Sequence, residues 1–149
     1  MVANLYEPFL SATRSVFQLM LDLSDVADRP AEAFVCDDAL CIAIGITGDL
    51  TGEVIYRFPR VTSLRMVAIM SGMEMDSVDD FVTSAVAEIA NIISGNVLTM
   101  LAGEDLVCDI LPPELREPDE GKDYSMRAAV CLTTSVGDVC LDIRLNPAK

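Results

Sequence analysis

The chain contains no histidine. That absence excludes Ser-His and Cys-His nucleophile pairs, imidazole general bases and histidine metal sites. Cations are scarce as well: Lys and Arg number 10 against 24 Asp and Glu, a net charge of −14. The phosphate backbone of nucleic acids carries the same sign, so no nucleic-acid partner is expected. There is no glycine-rich phosphate loop and no pair of cysteines at C-x-x-C spacing. No apolar run approaches the ~20 residues of a membrane span, and the longest, Ala39–Ile46, is strand-sized. The opening MVANLYEPFL has neither a basic start nor a long apolar segment. No targeting sequence is therefore expected, and neither is a membrane association; the expected location is the cytoplasm.

What remains is a chain rich in apolar residues. Of its 149 residues 52% are hydrophobic and the mean hydropathy is +0.40, which suits one folded domain over residues 1–149 with a core that needs no metal or disulfide. The five cysteines, Cys36, Cys41, Cys108, Cys131 and Cys140, all lie in apolar, strand-like stretches. They are expected to be buried free thiols in a reducing compartment, although Cys131 and Cys140 flank one predicted hairpin and could be neighbours.

Periodicity organises the chain. Phe9, Leu10, Thr13, Val16, Phe17, Met20 and Leu21 recur at three- and four-residue steps and predict a helix over Leu5–Leu21, capped by Asn4. SDVADRP breaks that pattern. Strands are predicted for AEAFVCD, ALCIAIGITG and GEVIYRF, with a turn over Gly48–Gly52 joining the last two. A short helix fits Val61–Met70 and ends at Ser71-Gly72. A long helix is predicted from Ser77, as cap, to Leu101, closed by Gly103. The strand DLVCDIL then leads into Pro112-Pro113, and ELREPDEGKD reads as an exposed loop. YSMRAAVCLTT and VGDVCLDIRL form a last hairpin around Ser135–Gly137. The pattern is a helix followed by three strands, twice: an α+β fold with an antiparallel-rich sheet and two long helices packed on it.

The second long helix carries the one constellation suited to chemistry. Val82, Ala85, Val86, Ile89, Ile93, Val97 and Met100 form its apolar stripe. At about 100° per residue, Ser84, Glu88, Asn91 and Gly95 fall within about 60° of one another on the opposite side. Gly95 costs roughly 1 kcal/mol relative to Ala in mid-helix, and its bare backbone would let another molecule approach closely. A carboxylate can pair with a partner's ammonium group, and a carboxamide both accepts and donates, so it can hold a water in one orientation. Such a pair suits an enzyme whose substrate is a protein that already carries the metal and the reactive bond. Phosphoryl transfer is such a case, because there positioning of the attacking water dominates. The acidic Asp76, Asp79 and Asp80 read as helix capping and solubility.

The segment Ser84-Ala-Val-Ala-Glu88-Ile-Ala-Asn91-Ile-Ile-Ser-Gly95-Asn96 resembles the signature helix of the CheC/CheX/FliY chemotaxis phosphatases: an acidic or Ser residue, Glu four on, Asn three on, and a proline after the next strand. NLYEPFLSATRSVFQLML resembles the first helix of the CheX type, and GITGDLTGEVIYRF the family's first hairpin. The resemblance implies a CheC-like fold and dephosphorylation of the aspartyl-phosphate of a CheY-like response regulator in chemotaxis signalling. Asn91 would orient the attacking water and Glu88 would contact the regulator's lysine, with Ser84 and Gly95 as neighbouring contact positions. The protein would need no cofactor of its own, since the Mg²⁺ belongs to the regulator. Pro113 takes the place of the family's proline as a backbone-shaping residue, although Pro112 and Pro113 arrive slightly early. In the first helix Ser11, Ser15 and Gln18 align with Ser84, Glu88 and Asn91. With no carboxylate at Ser15, the chain resembles the single-site CheX type rather than the two-site CheC type, and a homodimer is implied. The alternative is a non-catalytic module of the same fold, either docking a receiver domain without turnover or dimerising through the Glu88–Asn91 face.

Overall fold

The computed structural model describes residues 7–30, 38–118 and 123–147. In chain order the elements are α1 (Glu7–Leu21), β1 (Ala27–Pro30), β2 (Ala39–Gly48), β3 (Leu50–Pro59), α2 (Arg60–Ser71), α3 (Asp80–Ala102), β4 (Cys108–Ile110), β5 (Glu114–Leu115), β6 (Met126–Thr134) and β7 (Gly137–Pro147). The Asn4 cap, Leu5, the AEAFVCD strand, and residues 119–122 of the expected loop lie outside the described residues.

Among the described residues the strands make one antiparallel sheet in the order β1-β6-β7-β3-β2-β4, with β5 also on β2. The hairpins β2–β3 and β6–β7 meet at the centre, where Val54 pairs with Ile143 and Tyr56 with Leu141. The edge strands are exchanged: β1 of the first half lies on β6, and β4 of the second half lies on β2. Each half thus supplies a long helix and strands to a shared sheet, the duplicated arrangement expected from the sequence.

Alternation along the strands decides where the core sits. Ile42, Ile44 and Ile46 of β2, Val54, Tyr56 and Phe58 of β3, and Val139, Leu141, Ile143 and Leu145 of β7 are buried in one cluster with the inner stripes of α1 and α3. On α3 those inner residues are Val82, Val86, Ile89, Ile93, Val97 and Leu101. By length and composition α3 could cross a membrane, with 23 residues and a mean hydropathy of 1.5 in its most apolar window. Here its apolar stripe is spent on the core instead.

Four local expectations change. Strand β1 replaces part of the break at SDVADRP: Ala-Asp-Arg-Pro has no apolar alternation and is extended because it pairs with β6, with Arg14–Asp28 and Arg29–Asp138 ion pairs beside it. The α3 cap is Asp79, whose carboxylate accepts from the Val82 N–H at 3.0 Å, not Ser77. Glu114 and Leu115, expected in a loop, pair with Ala43 and Ile42. The fourth concerns the cysteines. Cys131 and Cys140 are directly opposed on β6 and β7 and form a disulfide, and Cys41 is disulfide-bonded too. Among the described residues Cys108 is the free thiol. Opposed residues of neighbouring strands point to the same face, so the hairpin register itself brings the two sulfurs together.

The face of the sheet turned away from the helices is partly charged. Asp142 and Arg144 are buried there and joined at 2.9 Å, and Glu53 is held by Arg116. On the helix side a buried polar contact links β3 to α3: the Tyr56 hydroxyl and Ser94 Oγ lie 2.8 Å apart. Burial pushes the Tyr56 phenol above its ordinary pKa, against the opposing effect of that hydrogen bond. Ser94→Ala would leave this phenol without its partner, so we expect a loss of about 1–3 kcal/mol in denaturant unfolding. Adding Tyr56→Phe to that variant should restore most of it, and no recovery in the double variant would show that the contact is not the cause.

Candidate functional site

Helix α3 is fixed at both ends and along one side. Asp79 caps its first turn, and the Gly103 N–H returns to the Thr99 carbonyl at 3.4 Å. Its inner stripe is buried against the sheet and α1, so its outer side has to face solvent. The expected residues fall there together: Ser84 and Glu88 are exposed, and Asn91 and Gly95 are half-buried. Glu88 and Asn91, three residues apart, have Cβ atoms about 5–6 Å from each other in a regular helix.

Among the described residues neither the Glu88 carboxylate nor the Asn91 carboxamide makes a hydrogen bond or ion pair, whereas Asn96 is turned back onto the Ile92 carbonyl at 3.2 Å. A carboxylate and an amide thus stand side by side on a stiff support with their hydrogen-bonding capacity unspent. A Cβ at Gly95 would meet nothing within 4 Å, so the fold does not require glycine there and the open space faces outward. Among the described residues no group of three or more Cys, Asp or Glu could hold a metal ion.

Pro113 lies apart from this helix face, on the sheet edge. From Ile110 to Glu114 the chain takes four steps while its partner β2 takes three, from Ile46 to Ala43. The extra residue makes a bulge at Pro112-Pro113, where the ladder has no N–H to use. Leu111 still donates its N–H to the Gly45 carbonyl at 2.9 Å, and its side chain lies over Gly45, where a Cβ would come within 2.8 Å of Leu111 Cδ1. Pro113 therefore shapes the edge strand.

One residue on the site face escaped the sequence reading. Phe81 is 53% exposed in the first turn of α3. By the same helical arithmetic it projects within about 20° of Glu88, two turns before it. The signal was present as an apolar residue off the inner stripe.

Three comparisons bear on this reading. The family model described as Chemotaxis phosphatase CheX matches residues 40–135, which include the entire α3 face and Pro113. The CheY-P phosphatase CheX of Thermotoga maritima is 38% identical over 91 residues, covering 60% of this chain and 57% of that relative, so the match spans little more than half of the relative's length. The fold is shared with solved structures, two of which follow. The CheX of the Borrelia burgdorferi CheX–CheY–BeF3–Mg²⁺ complex has a TM-score of 0.80 at 24% identity, covering 97% of this chain and 99% of that one. A CheC-like superfamily protein from Shewanella sp. PV-4 has a TM-score of 0.78 at 19% identity, covering 98% and 99%. With the fold shared across nearly the full length and the family model spanning both the central hairpin and the site helix, the chain belongs to the chemotaxis phosphatase CheX family.

Proposed function

We propose that this chain, acting as one domain over residues 1–149, dephosphorylates the aspartyl-phosphate of a CheY-like response regulator. The observation that carries the reading is the outward Glu88–Asn91 pair, which among the described residues is committed to no hydrogen bond or ion pair, on a helix that the core holds rigid. In this reaction a water oxygen forms a bond to phosphorus and the bond to the aspartyl oxygen breaks, releasing inorganic phosphate and the regulator's carboxylate. Asn91 enters the regulator's site and accepts from the attacking water, aligning it opposite the leaving carboxylate. Glu88 pairs with the regulator's lysine ammonium and fixes the approach of the helix. The Mg²⁺ stays with the regulator. The Mg²⁺-containing CheX–CheY complex supports both that assignment and the kind of partner. A homodimer joined through sheet edges and a cytoplasmic location complete the proposal. In a reducing cytoplasm Cys131 and Cys140 would be thiols, with the β6–β7 ladder still holding them opposite each other.

Three outcomes are expected. Asn91→Ala should lower kcat on a phosphorylated receiver on the order of 10²–10³-fold, about 3–4 kcal/mol, with little change in the thermal melt, since among the described residues the amide makes no hydrogen bond within the fold. Full activity in that variant would refute the mechanism. Gly95→Ala should raise stability by about 1 kcal/mol, because the methyl fills open space and helix propensity improves, yet raise KM by obstructing the partner's approach. An unchanged KM would remove Gly95 from the contact surface. Finally, the chain is acidic at −14 and a receiver's phosphorylation pocket is acidic too, so association should respond weakly to added salt or strengthen with it. A steep loss of rate between low and physiological ionic strength would contradict this.

A further inference from the structure

We infer that Phe81 is an apolar anchor for the receiver domain, gripping its surface beside the phosphorylation pocket; this rests on the reading that the Glu88–Asn91 face meets a phosphorylated receiver. Phe9, Phe17 and Phe58 are at most 1% exposed, whereas Phe81 is 53% exposed, and among the described residues it is the one large apolar side chain exposed on α3. It projects on the side of Glu88, about 10 Å before it along the axis and about 15 Å before Asn91. Ser84 lies between them, so the ridge dips and then rises again at Phe81.

Size makes the contact hard to avoid. A receiver-sized domain of about 120 residues has a radius of gyration near 13–14 Å, and a standard interface covers about 800 Å² on each partner. A domain that admits Asn91 into a pocket on its surface and pairs with Glu88 is therefore large enough to reach Phe81 on the Glu88 side. Half-exposed aromatics in such positions supply large contact area at small entropic cost and are typical anchors. The position is also pre-ordered, because Asp79 caps the turn that carries Phe81. Asp79 and Asp80, the two residues before Phe81, are exposed, so the surface that covers the ring should be apolar at its centre and neutral or basic toward the start of the helix.

The test compares wild type, Phe81→Ala and Phe81→Leu, using receiver domains kept phosphorylated with a small phosphodonor for turnover and loaded with beryllofluoride and Mg²⁺ for binding. Phe81→Ala should raise KM and Kd about 10- to 100-fold, with kcat at saturation within about twofold. Phe81→Leu should recover much of that loss. The separation from Asn91→Ala, which lowers kcat, distinguishes anchoring from water positioning. Unchanged KM and Kd in Phe81→Ala, beside an active wild type, would overturn the inference. So would conversion of a dimer to a monomer in that variant by size-exclusion chromatography with light scattering, because Phe81 would then be a subunit contact. A wild-type chain that neither binds nor dephosphorylates any receiver would overturn the phosphatase reading and this inference with it.

Discussion

The antiparallel pairing of β3 with β7 is the contact on which the rest of the molecule depends. It runs from Leu50–Pro147 to Arg57–Cys140 and is the central seam between two similar halves. The halves are tied further by exchange of edge strands, β1 onto β6 and β4 onto β2. Neither half therefore has a complete sheet of its own, and neither long helix has a complete floor to pack on. Disrupting the seam would expose both hairpins and release both helices, so the two halves are expected to fold as one cooperative unit.

That shared floor is what gives α3 its orientation. Six apolar residues on its inner side meet strands from both halves and the facing helix α1. The buried Tyr56–Ser94 hydrogen bond adds a directional contact that an all-apolar stripe would lack, tying the rotation of the helix to a central strand. With the inner side specified, the outer side has no freedom: Ser84, Glu88, Asn91 and Gly95 must line up toward solvent. A site built on a packed helix is more exact than one built on loops, which suits a proposed reaction in which placing one water accounts for much of the rate.

The electrostatics divide the same way. The buried charges that serve the fold are paired on the far side of the sheet, where Asp142 and Arg144 are buried together and Glu53 is held by Arg116, whose own pKa is raised chiefly by that hydrogen bond. Glu88, on the opposite layer, has no partner among the described residues. An unpaired exposed carboxylate costs the fold little, and it remains available to a cation brought by another molecule. Since the chain as a whole is acidic, such a molecule would be captured by contacts along the helix rather than drawn in over distance.

Much of this was legible from residues alone. The alternation Leu40-Ile42-Ile44-Ile46 yields β2 with the expected limits, Gly72 ends α2 as expected and does so in the left-handed conformation, and the 3.6-residue period separates the Glu88–Asn91 face from the core stripe. Those features are local: side-chain periodicity and the steric freedom of glycine act over a few residues and need no distant partner. What sequence reading did not reach depends on distant partners. Ala-Asp-Arg-Pro is a strand because β6 offers it an edge, Glu114-Leu115 are extended because β2 does, and Cys131 is bonded because the β6–β7 register sets Cys140 opposite it. Phe81 lies off the inner stripe, and it is exposed because no other described element packs over it. The sequence by itself determined which chemical groups share the outer face of α3, because a helix has one period. Only the tertiary structure decided which groups stay unpaired and what surrounds them, because that depends on which strands and side chains the rest of the chain brings alongside.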